Sequence, residues 1–253
     1  MQIVPIKLRI VKPGDDVVAM ILDALREMGR TVKTGDVIAI SSKAISMATN
    51  KMVRLSDVKP STEALRLARE HKLDPRIAEV VLQEADEVLG GREGLLLTLK
   101  DGTLMPNAGL DVSNAPPGHV MLLPEDPMGT AHRIRDEVRE LTGERIGVII
   151  VDSRVFPLRV GTTGVSIGVA GFEPVVDFRG KEDLYGKRLK VTRQSLADDL
   201  GSSAHALMGE TDEQIPAVLI RDAPVRLTDE RISDKGLYLS KDRCLYLGSL
   251  GGS

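Results

Sequence analysis

Three acidic residues stand where secondary-structure elements are expected to end, and their carboxylates could hold a divalent cation. Asp111 lies in a short loop, Asp152 ends an apolar strand, and Glu210 follows a helix. Hard divalent cations bind oxygen, and magnesium-type sites commonly combine carboxylates, water and substrate phosphates. Ser153, next to Asp152, adds a hydroxyl ligand. Each acid taken singly is more simply explained as a cap, a turn former or a surface charge.

A second set of residues suits phosphate groups. Ser42 and Lys43 follow an apolar strand, and the lysine would supply a point charge for an anion. Glycines let backbone N–H groups approach phosphate closely, although bulges and tight turns are the simpler explanation for each one. The glycines concerned are Gly161, Gly164, Gly168, Gly171 and Gly209. The patterns GxxxxGK[ST] and GxGxxG are absent, which argues against a P-loop or a dinucleotide fingerprint.

Two arginines follow Asp152 closely in the sequence. Arg154 and Arg159 could grip an anionic substrate through bidentate hydrogen bonds, and solvated surface arginines are the alternative. Nucleophilic catalysis finds little support, because the single cysteine, Cys244, lies in a polar tail without a recognisable partner. The histidines show no ligand spacing, and HExxH, CxxC and GxSxG do not occur. Metal-assisted phosphate chemistry is therefore the hypothesis that the residues favour.

The loop that carries Asp111 is the run PNAGLDVSN, from Pro106 to Asn114, and the chain is organised around it. Asn and Asp bond their own backbone and Gly accepts positive φ, so this composition predicts a turn. Apolar runs flank it, LLLTLKDGTLM before and APPGHVMLLP after. We therefore expect the loop to leave and re-enter a buried sheet. A tight turn without any ligand is the alternative for this stretch.

The elements that must position these residues alternate between strands and helices. Apolar spacing predicts helices at Val17–Met28, Thr130–Thr142 and Arg193–Met208, and two more between Ser61 and Leu89. Strands are predicted at residues 1–10, 36–42, 146–154 and 217–221. Asp101 and Gly102 suit a type I′ hairpin turn. The predicted fold class is mixed α/β (α+β) with partly antiparallel sheets.

Composition excludes several classes of function. The 253 residues suffice for one large domain or two intimate lobes, and the net charge of −3 is spread without a basic stripe. Three Phe, three Tyr and no Trp argue against a base-stacking nucleic-acid platform. No apolar run approaches a membrane span of about 20 residues. A single cysteine fits a reducing compartment, so we expect a cytoplasmic protein that binds neither nucleic acid nor membrane.

Several motifs together resemble a known family. They are PNAGLDVSN, DPMGTAHRIR at Asp126–Arg135, VDS at a strand end, IGVAGFEPVVDFRG, DLYGK, and ALMGE with the DE that follows. They are similar to the coenzyme F420-0:gamma-glutamyl ligase family in its stand-alone archaeal type. The resemblance covers residues 1–222, which we expect to form one catalytic module with two interleaved lobes. Residues 223–253 are predicted to be a C-terminal extension of unknown role.

The resemblance implies a reaction and its partners. In the family, GTP and a divalent cation, Mn²⁺ or Mg²⁺ at two sites, drive the addition of L-glutamate to F420-0. The acceptor carboxylate is first phosphorylated to an acyl phosphate, which the glutamate amine then attacks. K⁺ is a further candidate ion. The family also implies an intertwined homodimer of two-lobed subunits that share their active-site clefts.

The resemblance also implies roles for residues of this chain. Asp111, Asp152 and Glu210 become the catalytic acids, with Asp111 and Asp152 on one metal and Ser153 and Glu210 on the other. Arg154 and Arg159 stay substrate candidates. The GTP site would be lined by Val4, Pro5, Ile6, Lys7, Ser42, Lys43, Asn114, Met208, Gly209, Glu210, Thr211, Asp212, Glu213, Gln214 and Ile215.

Two departures from the family pattern keep alternatives open. Many members read DTFGRPWR where this chain reads DSRVFPLR, and SKAEG where it reads SMATN. The second change puts Met47 in place of a basic residue, which could cost about 1–3 kcal/mol beside a triphosphate. One alternative is therefore an amide-forming ligase with another carboxylate acceptor or nucleotide. A non-catalytic metal- or nucleotide-binding protein is the other.

Overall fold

The computed structural model describes residues 1–233 and 236–250. Its helices are α1 (Val17–Glu27), α2 (Ser42–Ala48), α3 (Thr62–His71), α4 (Pro75–Glu84), α5 (Pro127–Thr142), α6 (Leu196–Met208) and α7 (Leu245–Leu250). Its strands are β1 (Gln2–Ile6), β2 (Val37–Ser41), β3 (Met52–Arg54), β4 (Glu87–Arg92), β5 (Leu95–Lys100), β6 (Thr103–Pro106), β7 (His119–Met121), β8 (Gly147–Val155), β9 (Thr162–Ala170), β10 (Val175–Asp177), β11 (Arg193–Ser195) and β12 (Ala217–Arg221).

A five-stranded central sheet organises the molecule, in the order β1-β12-β2-β8-β9. Only β2 and β8 are parallel, and the other three pairs in this sheet are antiparallel. The mixed, partly antiparallel class predicted from the sequence is therefore confirmed. Pro5 lies on β1, an edge strand, where a residue without a backbone N–H is tolerated.

Helices cover both faces of the central sheet. Val148 and Ile150 of β8 point to the face that packs against α1, α2 and α5. Ile149 and Val151 point to the opposite face, which packs against α6. This alternation follows from the two-residue period of a strand, and burying each such side chain contributes about 1.5–3 kcal/mol. The long apolar run of β8 is thus explained by burial on both sides.

Three smaller sheets accompany the central one: β4-β5-β6, β3-β7 and β10-β11. The three-stranded sheet packs with α3 and α4 around a hydrophobic cluster of its own, centred on Leu96, Ala64 and Val81. The two-lobed division and the intertwined dimer inferred from the family stay predictions.

Local signals in the sequence located most element ends. Asp74 caps α4 with Pro75 as its first residue, and Asp101 and Gly102, both at positive φ, turn β5 into β6. Helix α5 begins at Pro127, three residues before the predicted start. Asp126 explains the difference, because its Oδ1 accepts a hydrogen bond of 2.8 Å from the Gly129 backbone N–H.

Helix α6 starts later than predicted. The sequence pattern indicated a helix from Arg193, whereas Arg193–Ser195 forms β11 and pairs with β10. The helix proper begins at Leu196 and ends before Gly209, whose φ of 73° is reached without strain by glycine.

The loop at Pro106–Asn114 does not return to the sheet it leaves. Pro106 still pairs with Leu97 in the three-stranded sheet, and a short 3₁₀ turn, Asn107–Gly109, follows. Asp111 then pairs through its backbone with Met121 of β7, in the two-stranded sheet. The prediction that the loop re-enters the sheet it leaves was therefore wrong. The apolar runs on either side indicate that both flanks are buried, but they do not show which sheet each flank joins.

The segment after β12 packs back onto the rest of the molecule. Leu227 forms an isolated bridge with Phe172, and Tyr238 donates its hydroxyl to the Ile167 carbonyl at 3.1 Å. Part of the predicted extension, residues 234–235 and 251–253, lies outside the described residues. Within residues 1–233 and 236–250, no helix is long and apolar enough to cross a membrane.

Candidate active site

Ser42 and Asp152 come together because β2 and β8 are parallel neighbours. Ser41, the last residue of β2, pairs with Val151, so Ser42 and Asp152 lie side by side at the edge where the parallel pairing ends, while β8 itself continues to Val155 against β9. That edge, the carboxyl end of parallel strands, is where α/β sheets usually bind ligands. Ser42, the first residue of α2, donates its hydroxyl to Asp152 Oδ1 at 2.6 Å. Ser42 is 3% exposed and Asp152 8%.

Arg154 forms an ion pair with Asp152, two residues away on the same face of β8. The arginine is only 5% exposed. Burial lowers the pKa of its guanidinium to about 10, so it stays charged at neutral pH. Its Nη2 is buried without a hydrogen-bond partner. The sequence suggested that Arg154 binds an anionic substrate, and in the structure its partner is Asp152.

Asp111 is held by a lysine and by its own loop. Lys43 Nζ lies 2.8 Å from Asp111 Oδ2. The other oxygen accepts hydrogen bonds from the Ser113 backbone N–H at 2.9 Å and from its hydroxyl at 2.6 Å. Because Lys43 follows Ser42 directly, two adjacent residues of α2 contact two of the three candidate acids. The predicted phosphate-binding pair thus also connects Asp111 with Asp152.

Glu210 lies beyond α6 and faces the end of β8. Its Oε1 accepts hydrogen bonds from the hydroxyls of Ser153, at 2.6 Å, and of Thr162, and lies 3.1 Å from His205 Nε2. Burial opposes ionisation, but the two hydroxyls, with His205 and Lys43, lower the pKa of this carboxyl below its ordinary value. Glu210 is therefore a carboxylate at neutral pH.

These elements enclose one cleft of about 210 Å³. Its walls come from the ends of β2 and β8, from α2, from the end of α6 and from the segment after β1. The predicted residues that line it are Ser42, Lys43, Asn114, Asp152, Ser153, Met208, Gly209, Glu210, Thr211, Glu213, Gln214 and Ile215. Asp111 reaches the cleft through its ion pair with Lys43.

Other predicted residues lie elsewhere. Val4 and Ile6 are buried in the core below the sheet edge, and none of Val4–Lys7 lines the cleft. The part of the N-terminal segment that does is Leu8–Val11, immediately after β1. Strand alternation explains the burial of Val4 and Ile6, whereas Pro5 and Lys7 are exposed but lie outside the cleft lining. Asp212 and Arg159 are exposed and are not among the cleft residues.

The structure adds three residues that the sequence did not single out. His205 and Thr162 contact Glu210, and Arg9 lines the cleft. His205 lies in the last turn of α6, five residues before Glu210, and this closeness in sequence could have drawn attention to it. The contact with Thr162 depends on the register of β9 against β8, which no local pattern reveals.

The donor atoms suit a hard divalent cation. Asp111, Asp152, Glu210 and Ser153 offer only oxygen, the donor that Mg²⁺ and Mn²⁺ prefer. Within the described residues no three His, Cys, Asp or Glu side chains form a metal-holding group. Lys43 and Arg154 instead balance the carboxylate charge of Asp111 and Asp152. The donor atoms fit a divalent cation, and Lys43 and Arg154 each pair with one of these acids.

A ligand cleft at the carboxyl ends of parallel strands, lined by Asp152 and Glu210 and bordered by the Lys43–Asp111 ion pair, is typical of a mixed α/β enzyme. Comparison with known proteins gives its family. The family model for F420-0:gamma-glutamyl ligase matches residues 5–222.

Three relatives agree with that match, each named coenzyme F420:L-glutamate ligase. The protein from Methanopyrus kandleri is 41% identical over 223 residues, covering 87% of this chain and 86% of the relative. The one from Methanothermobacter thermautotrophicus is 39% identical over 216 residues, covering 85% and 86%. The one from Haloarcula marismortui is 36% identical over 218 residues, covering 84% and 83%. The chain belongs to the F420-0:gamma-glutamyl ligase family, so it is a ligase, and the resemblance seen in its motifs is confirmed.

Proposed function

We propose that this chain is a GTP- and divalent-metal-dependent ligase that adds L-glutamate to F420-0 through an acyl phosphate. Membership of the family and the names of the relatives support the two substrates. The observation that carries the proposal is the single cleft that brings together Lys43, Asp152, Ser153 and Glu210. A phosphoryl-transfer site needs such a combination, because catalysis there consists mainly of positioning and charge stabilisation.

The proposed reaction has two steps. First, an oxygen of the F420-0 carboxylate attacks the γ-phosphorus of GTP, and GDP leaves. Second, the amine of glutamate attacks the acyl carbon, phosphate leaves with its oxygen, and the nitrogen loses a proton to form the amide. The γ-carboxylate of the attached glutamate can then be phosphorylated in the same way, and the amine of a second glutamate attacks its acyl carbon as phosphate leaves.

The chain's own residues have separable roles in this proposal. Lys43 would attract the polyphosphate as a point charge. Asp111 and Asp152 would hold one Mn²⁺ or Mg²⁺, and Ser153 and Glu210 the other. The metal would offset charge on the phosphates when bound. Ser42, which donates to Asp152 at 2.6 Å, would keep that carboxylate oriented.

Mass spectrometry of the reaction products tests the proposal. Purified protein would be incubated with F420-0, L-glutamate, Mn²⁺ and GTP, with and without K⁺. Reactions with ATP and without nucleotide serve as controls. We expect a product heavier by glutamyl units in the GTP reaction only. Absence of glutamylated product under every condition would refute the proposed acceptor.

A second candidate is an amide-forming ligase of the same type with another nucleotide or acceptor. Met47 lines the cleft, where a basic residue would favour a triphosphate. The 153–159 loop differs from the family pattern as well, and Leu158 is fully exposed at its tip. Product from ATP in place of GTP, or from another carboxylate in place of F420-0, would favour this candidate.

We also propose a homodimer located in the cytoplasm. Several large apolar side chains on two projecting segments are exposed, which suits burial against a second copy. They are Leu158, Val160, Leu184, Tyr185 and Val191. Sedimentation equilibrium would test the homodimer, and a monomer at micromolar protein concentration would count against it. The single, half-buried Cys244 is compatible with a reducing compartment.

A further inference from the structure

Arg154 is an unusual neighbour for a carboxylate that is proposed to bind metal. It is almost fully buried, charged, and paired with Asp152 from within the protein. Ser42 takes the other oxygen of the same carboxylate. A divalent cation at Asp152 would therefore meet a second positive charge that water screens poorly. The single carboxylate of Asp152 cannot neutralise the charge of both the metal ion and the Arg154 guanidinium.

A cavity lined by Arg154 itself offers the guanidinium another position. It has about 110 Å³, and Arg154 lines it together with Tyr238 and three acids, Asp101, Glu125 and Asp126. Asp126 caps α5 and Glu125 pairs with Lys51.

Asp101, on the β5–β6 turn, is the cavity's remaining carboxylate, and it makes no ion pair within residues 1–233 and 236–250. The Arg154 side chain lines this cavity, and its Nη2 has no hydrogen-bond partner.

We propose that Arg154 is the resident counter-ion of Asp152 and competes with the divalent cation for it. Cation binding displaces the guanidinium into the adjoining cavity, towards Asp101. Arg154 thus sets how tightly the chain holds its metal, and stabilises Asp152 when the metal is absent. This inference rests on the divalent-cation site of the proposed function. It makes Arg154 a positioning residue for Asp152.

Mn²⁺ binding to the protein alone tests the competition. Free Mn²⁺ would be followed by electron paramagnetic resonance, without nucleotide or other substrate, for wild type, Arg154→Met and Arg154→Lys. We expect Arg154→Met to bind Mn²⁺ about tenfold more tightly, because the competing charge is gone. Arg154→Lys, which keeps a cation, should stay within about threefold of wild type. The matched control is Arg159→Met, at an exposed arginine after the end of β8 and outside the cleft lining, which should not change the affinity. Equal or weaker binding by Arg154→Met overturns the proposal.

Unfolding measurements keep the test valid if Arg154→Met is unstable. Removing the arginine leaves Asp152 buried and unpaired, so the metal-free variant should melt below wild type. A ligand stabilises the folded form more strongly the more tightly it binds. Because Arg154→Met is expected to bind Mn²⁺ more tightly, Mn²⁺ should raise the unfolding midpoint of the variant more than that of wild type. An equal or smaller rise contradicts the competition.

A second variant tests the destination of the guanidinium. Asp101 has φ +48°, a conformation that asparagine tolerates, so Asp101→Asn should fold normally. We expect its Mn²⁺ affinity to fall about threefold, because the displaced guanidinium loses a carboxylate. Unchanged affinity excludes Asp101 as the receiving group.

The outcomes separate this inference from the proposed function. Absence of Mn²⁺ binding in wild type and variants alike removes the proposed metal site, and the inference with it. Mn²⁺ binding and glutamylation by wild type, with unchanged affinity in Arg154→Met, leave the proposed function intact and reject the inference alone.

Discussion

Asp152 and Asp111 carry the same chemical group into the same site, but different surroundings hold them. Asp152 lies on a central strand and is buried, with Arg154 on one oxygen and Ser42 on the other. Asp111 lies on a loop and is half-buried, with Lys43 on one oxygen and its neighbour Ser113 on the other.

The difference teaches how much each acid contributes to the fold. A buried ion pair gains little for stability overall, but removing one partner leaves an uncompensated charge away from water. A partly exposed pair loses much less when it is broken, because water solvates the remaining charge. We therefore expect both acids to matter for activity and only Asp152 to matter strongly for stability.

Asp152→Asn is the variant with the largest expected effect. It leaves Arg154 charged in the interior, so the free energy of unfolding should fall by about 3–5 kcal/mol. Glutamylation should fall by more than about 100-fold, as expected for a metal ligand rather than an outer partner. Denaturant unfolding and the product assay measure the two effects. The control is Asp177→Asn, in an exposed Asp–Arg pair, for which we expect no measurable change in unfolding midpoint. A folded, fully active Asp152→Asn protein would show that Asp152 is not a required metal ligand.

Ser42→Ala should come next in size. It removes the hydroxyl that donates to buried Asp152, and hydrogen bonds to charged groups contribute about 1.5–3 kcal/mol. Thermal unfolding of Ser42→Ala and Ser41→Ala would be compared, since the Ser41 side chain makes no capping hydrogen bond to α2. Equal losses for the two variants would show that the hydroxyl does not hold Asp152.

Asp111→Asn should separate activity from stability. We expect the free energy of unfolding to change by less than about 1 kcal/mol, because the pair with Lys43 is partly exposed. Asparagine can keep the bonds to Ser113, so the loop should persist. Activity should still fall by more than about 10-fold if Asp111 holds a metal. Loss of several kcal/mol would break the contrast between the two acids.

What the sequence could predict here was local. The cap at Asp74, the hairpin turn at Asp101 and the buried strand that carries Asp152 follow from residue type and spacing within one element, although that strand continues to Val155 rather than ending at Asp152. The acids were recognised as candidates because they stand at element ends, and the motifs identified the family.

What could not be predicted depends on packing between distant parts of the chain. The bond between Ser42 and Asp152 joins residues 110 positions apart and exists only because β2 lies beside β8. The ion pair between Arg154 and Asp152 was not foreseen from the sequence, and it arises because alternation along β8 places both side chains on the same face. The approach of Thr162 and His205 to Glu210 likewise requires the register of β9 and the direction of α6.

Glu210 extends the comparison to an acid whose ionisation can be followed. Its pKa is lowered in the folded protein, so its carboxylate adds stability above about pH 4.5, its unfolded value. That stability is lost as pH falls through the folded pKa, where both states become protonated. Thr162→Val removes one hydroxyl that lowers the pKa. The variant should therefore melt below wild type at pH 6, and the difference should shrink as the pH falls below about 4.

Thr163, the next residue along β9, supplies the control for the pH-dependent effect expected of Thr162→Val, which is the smallest effect predicted. Thr163 shares a hydrogen bond with Ser202 and does not contact Glu210. Any stability change in Thr163→Val should therefore be the same at both ends of the pH range. Thermal unfolding of both variants between pH 3 and pH 7 gives the two curves. Parallel curves for Thr162→Val and wild type would mean that Thr162 leaves the ionisation of Glu210 unchanged. Convergence at low pH would instead assign the hydroxyl of Thr162 a role in keeping Glu210 charged, independently of any metal.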